Sequence, residues 1–81
     1  MRYVKSDIKF DNEILTNGTA ITYRYKKGCL KGSEKKTNAI ILFNAGHGLQ
    51  IVEYSFMKRA KQSWLSVEDY RSGDLIIRIL K

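Results

Sequence analysis

Eighty-one residues fit one small domain and exclude a large multi-part enzyme. A hydrophobic share of 43% beside 28% charged residues is that of a folding chain, not a disordered one. Fifteen Lys and Arg against eight Asp and Glu leave a net charge of +7 and a pI of 9.7, which points to an anionic partner.

The lone Cys29 has no second thiol to pair with, so the fold must stand without a disulfide, and a reducing cytoplasm is the expected setting. The longest wholly apolar run, Ala39 to Phe43, falls far short of the ~20 residues that cross a bilayer, so no transmembrane segment is expected. Residues 2–10 lack the apolar core of a secretory signal, and export by that route is not expected. Proline is absent where average usage would place roughly four, so strands can run without lost amide donors.

In chain order, Val4, Ser6, Ile8 and Phe10 alternate with Tyr3, Lys5, Asp7 and Lys9, the pattern of a half-buried strand over 2–10. Asn17-Gly18 lies between two apolar stretches and suits a two-residue type I′ turn. That register sets Ile14 opposite Ile21, Asn12 opposite Tyr23 and Phe10 opposite Tyr25, with Asp11–Arg24 and Glu13–Thr22 on the other face. From Lys26 to Asn38 the pattern stops and a loop is expected. Ala39 to Phe43 then reads as a central strand covered on both faces, and the glycines of Asn44 to Gly48 turn it back into a strand from Leu49 to about Phe56.

Val52, Phe56, Ala60 and Trp64 recur every fourth residue, which also suits one side of a helix, so residues 56–64 stay open between helix and strand. Over 52–64 that helix would be a candidate for lying on an anionic membrane surface. A short helix is predicted near residues 66–72, with Ser66 as N-cap, Glu68 and Asp69 in its first turn and Gly73 just past its end. Leu75 to Leu80 closes the chain as a strand, with Leu75, Ile77 and Ile79 on one side. The fold class is therefore β-rich α+β: a mostly antiparallel sheet of about five strands, open or curled into a small barrel, with one short helix.

The positive charge is local. Residues 24–36 hold six basic side chains and one acid, residues 58–61 hold three basic side chains and no acid, and the rest of the chain nets −1. Two cationic clusters near Tyr23, Tyr25, Tyr54, Phe56 and Trp64 are the ingredients of a nucleic-acid surface, where ammonium and guanidinium groups meet phosphates and rings stack on unpaired bases. The candidate contacts are Arg24, Lys26, Lys27, Lys31, Lys35, Lys36, Lys58, Arg59, Lys61 and Trp64, with the tyrosines of the first cluster alternatively belonging to the core. Neither DNA nor RNA is favoured, because no zinc-finger spacing, Gly-x-x-Gly loop or ribonucleoprotein signature occurs.

Other motifs are weaker. Gly28 to Ser33 lacks the spacing of a phosphate-binding P-loop. Cys29 beside lysines has the setting of a reactive thiol or of a small apolar filler. His47 has no metal-ligating neighbour in sequence, and Glu68, Asp69 and Asp74 match no catalytic spacing, so no enzyme, metal or cofactor is expected. The alternative function is a small protein-binding module, such as a phage or mobile-element inhibitor of a host machine. It would dock on an acidic partner or pair with its own copy as a homodimer through the edge of the last strand.

Overall fold

The computed structural model describes residues 3–5, 8–55 and 58–80. Five strands form one antiparallel sheet: β1 (Ala20–Tyr25), β2 (Thr37–Asn44), β3 (Gly48–Ser55), β4 (Lys58–Ser66) and β5 (Leu75–Ile79), with the helix α1 (Val67–Ser72) between the last two. Their spatial order is β4-β3-β2-β1-β5, and the sheet is open rather than closed into a barrel. Because β4 and β5 lie at opposite edges, α1 must cross one face to join them. That face becomes the core side.

The inner side carries Ile21, Tyr23 and Tyr25 of β1, Ala39 and Ile41 of β2, Leu49 and Ile51 of β3, Leu65 of β4, and Leu75 and Ile77 of β5, all buried. Val67 of α1 closes over them together with Tyr3, Phe10 and Leu15 of the N-terminal segment. Tyr70 is the joint between helix and segment, with its ring centroid 5.8 Å from those of both Tyr3 and Phe10. The helix forms as its caps dictate. Ser66 accepts a hydrogen bond from the Glu68 N–H at 3.1 Å, and Gly73 ends the helix in the left-handed region at φ 88°.

The segment before β1 departs from the sequence expectation. Residues 3–10 form no strand among the described positions but a small loop closed by a single Val4–Phe10 bridge; Arg2, Ser6 and Asp7 of the expected strand lie outside the described residues. The Asn17-Gly18 hairpin is also overturned. Asn17 keeps a negative φ while Gly18 sits at 88°, which rules out the type I′ pair of dihedrals, and the Thr19 N–H closes the turn on the Thr16 carbonyl at 3.1 Å. Residues 11–15 turn locally instead: the Asp11 carboxylate accepts from the Glu13 N–H at 2.9 Å and its carbonyl from the Leu15 N–H at 2.8 Å.

β1 takes better partners. It pairs Tyr23 with Ile77 and Tyr25 with Leu75 on β5, and Ile21 with Ala39 on β2. These apolar neighbours bury more surface than Asp11, Asn12 and Glu13 offer.

β2 is covered on one side only, contrary to the two-sided burial expected for it. A bulge between Ile41 and Phe43 leaves Leu42 and Phe43 exposed at 40% and 53%. Residues 58–66 are strand, not helix, paired to β3 from Gly48–Ser66 to Ser55–Lys58. An amphipathic membrane-surface helix over 52–64 therefore does not form; Phe56 of the expected third strand lies outside the described residues. Among the described residues no helix is long and apolar enough to cross a membrane.

Candidate functional site

The chain direction decides where the basic clusters fall. β1 ends, β2 begins, β3 ends and β4 begins at one end of the sheet, so the 26–36 loop and the start of β4 emerge side by side. Two clusters more than twenty positions apart in sequence thus share one end of the molecule. Between them lies a cleft of about 320 Å³, with Lys31, Gly32 and Ser33 of the loop on one wall and Glu53, Lys61 and Ser63 on the other. Tyr23 and Tyr25 line it as well, residues that the sequence offered both as stacking rings and as core.

The loop is folded rather than loose. The Tyr25 N–H donates to the Ser33 carbonyl at 2.9 Å, the Lys35 N–H donates to the Ser33 hydroxyl at 3.0 Å, and the Thr37 hydroxyl donates to the Lys35 carbonyl at 3.3 Å. Gly32 is required where it stands, since a Cβ there would lie 2.3 Å from Tyr25 Cδ1.

Among the described residues, two of the candidate cations are already engaged. Lys26 Nζ is 3.0 Å from Asp74 Oδ1, and Lys31 Nζ is 2.7 Å from Asp69 Oδ1 and 3.5 Å from Asp74 Oδ2. The hydrogen bond from Lys26 holds the Asp74 carboxyl below its ordinary range, and the bond to Asp69 raises the Lys31 ammonium. Lys27, Lys35 and Lys36 are exposed and form no ion pair among the described residues. Lys61 is exposed and stands directly opposite Glu53 in the strand register. The main chain of Lys58 and Arg59 opens β4; their side chains lie outside the described residues.

Arg24 occupies a different surface, whereas Trp64 borders the cleft and also reaches the outer face. Arg24 alternates with buried Tyr23 and Tyr25, which puts its side chain on the outer face of the sheet. Trp64 alternates with buried Leu65. Its ring lies over Gly48, where a Cβ would stand 2.1 Å from Trp64 Cζ2, and its centroid is 5.4 Å from that of His47.

Burial pushes the phenols of Tyr23 and Tyr25 above their ordinary range. Glu53 adds to the effect at Tyr23, and the Asp69 charge adds to it at Tyr25. These two tyrosines are therefore core side chains whose hydroxyl ends reach the cleft, while Tyr54 and Trp64 are exposed at 40% and 47%. Sequence reasoning missed Glu53 in the cleft wall. Its signal was the inward phase of β3, Leu49, Ile51, Glu53, which sets a carboxylate where an apolar residue is expected.

Cys29 sits in the 26–36 loop and His47 in the β2–β3 turn, at opposite ends of the sheet, so the two form no dyad. Asp69 and Asp74 hold lysines. Among the described residues no three His, Cys, Asp or Glu side chains gather closely enough to hold a metal ion. No protein-family model, curated protein or solved structure matches this chain.

Proposed function

We propose that this chain is a small non-enzymatic nucleic-acid-binding domain whose cationic end grips phosphates. The observation that carries the reading is the convergence of segments 26–36 and 58–61 at one end of the sheet, with Lys31 and Lys61 on facing walls of a single cleft. Lys27, Lys35, Lys36 and Lys61 supply the exposed charge. Lys26 and Lys31, tied to Asp74 and Asp69, shape the loop more than they add to its charge. The free Cys29 suits a reducing, cytoplasmic setting.

The experiment is co-purification of the tagged full chain from extract, with and without nuclease, followed by titration of the bound class of polymer. The reading predicts nuclease-sensitive nucleic acid in the eluate and a shift of a labelled oligonucleotide at near-physiological salt. A nuclease-resistant protein as the sole bound species overturns it.

One observation favours a second reading, a protein-binding module or self-pairing through a strand. β5 is an edge, and since the Leu80 N–H donates to Ala20 of β1 at 2.9 Å, the alternation of the ladder turns the N–H groups of Ile77 and Ile79 outward, with no partner among the described residues, where a further strand could add. If Ile76→Lys leaves both oligomeric state and partner recovery unchanged, this reading fails.

A further inference from the structure

Among the described residues no element covers the face of the sheet turned away from α1, and the composition of that face is selective. Phe43, Tyr54 and Trp64 project from it at 53%, 40% and 47% exposure. Trp64 and Phe43 both lie opposite Gln50 in register, so they flank it in one row across three strands. Tyr54 is on the same strand as Gln50, four residues on, or about 13 Å away. Arg24 and Arg78 stand on the same face, opposite Ile76 and Thr22 respectively.

The neutral polar groups here satisfy one another: the Thr22 hydroxyl donates to Asn38 Oδ1 at 3.1 Å, and Gln50 Nε2 donates to Gln62 Oε1 at 3.2 Å. The two guanidinium groups have no hydrogen-bond or ion-pair partner among the described residues, and the strand positions sharing the face carry no carboxylate.

We infer that this face is a stacking platform for a single-stranded nucleic acid, with Phe43, Tyr54 and Trp64 on β2, β3 and β4 receiving unpaired bases and Arg24 and Arg78 on β1 and β5 meeting phosphates of the strand where it runs on across the same face. The inference rests on the nucleic-acid reading above and adds the strandedness of the ligand. Flat exposed rings and unpaired positive charge on one face, with no negative charge at the strand positions between, complement a polyanion whose bases are free to leave the stack. A duplex keeps its bases inside and offers the rings nothing. Trp64 is held for this by Gly48, whose missing side chain lets the indole lie flat on the strand.

The test uses the full chain with an oligothymidylate and with a duplex of equal length, and reads both anisotropy and the emission of Trp64, the one tryptophan. The single strand is expected to quench Trp64 and to bind more tightly than the duplex. Phe43→Ala and Tyr54→Ala should each weaken single-strand binding about five-fold or more and leave duplex binding by the lysine loop as it is. Single-strand binding with unchanged Trp64 emission, and with Phe43→Ala and Tyr54→Ala at wild-type affinity, overturns the platform and leaves the loop reading standing. No binding of either oligonucleotide at low salt overturns both. A wild-type dimer in sedimentation that Phe43→Ala converts to monomer assigns the face to a second copy of the chain and also overturns the platform.

Discussion

Lys31 Nζ stands 2.7 Å from Asp69 Oδ1, a bond that joins the basic loop to the helix across 38 positions of sequence. It spends one cation of the loop on the protein itself. Asp69→Asn should release Lys31 toward a bound polymer and make the log-log salt dependence of duplex binding steeper by about one unit. An unchanged slope would show that Lys31, left with only the 3.5 Å contact to Asp74, takes no part in phosphate contact.

Acid should weaken the same latch from its other carboxylate. Asp74 ionises below its ordinary 3.8 because Lys26 bonds its charged form. A carboxyl depressed in the folded state contributes stability that is complete above the unfolded value and is lost as pH falls through the folded one. Urea midpoints taken from neutral pH downward should therefore fall in the acid range, and Asp74→Asn should flatten that fall.

The alkaline side carries the opposite sign. Tyr23 and Tyr25 ionise above the ordinary 10.0, so their contribution is complete below that pH and is lost as pH climbs through the folded values. Near-ultraviolet tyrosinate absorbance should show late-ionising groups among the five tyrosines, coincident with unfolding, and Tyr23→Phe should remove one of them.

The N-terminal segment is structural. Leu15 is fully buried although it lies in a turn, and Leu15→Ala should cost about 2–5 kcal/mol in denaturant unfolding. Ser66→Ala, which removes the cap of α1, should cost about 1 kcal/mol. Near-equal effects would mean that residues 3–15 are a detachable arm rather than part of the core.

How much of this was legible in the sequence follows from how local each signal is. Helix α1 was readable because Ser66, Glu68 and Gly73 act within one turn of where they stand. β2, β3 and β5 were readable from their apolar runs and alternation. The Asn17-Gly18 signal misled because it specifies a turn and not the partner of the strand that follows; β5, more than fifty residues on, supplied that partner.

β4 stayed ambiguous for a geometric reason. A spacing of four puts residues on one side of a helix and equally on one face of a strand, and Val52 and Trp64, on adjacent strands opposite Gln62 and Gln50, share the outer face without any helix. At the site, both lysine clusters could be read from the sequence, but their convergence depends on strand order. The acids that hold Lys26 and Lys31 come from residues 69 and 74, which no local pattern connects to the loop.

The central claim is that the loop and the start of β4 act as one phosphate-binding surface, and the most direct measurement is duplex affinity as a function of salt for the wild type and for Lys27→Ala, Lys35→Ala, Lys36→Ala and Lys61→Ala. Four phosphate contacts predict a log-log slope of about −3.5 to −4 for the wild type, reduced in magnitude by roughly one unit in each variant. A wild-type slope near zero, or one that none of the four substitutions alters, would contradict it.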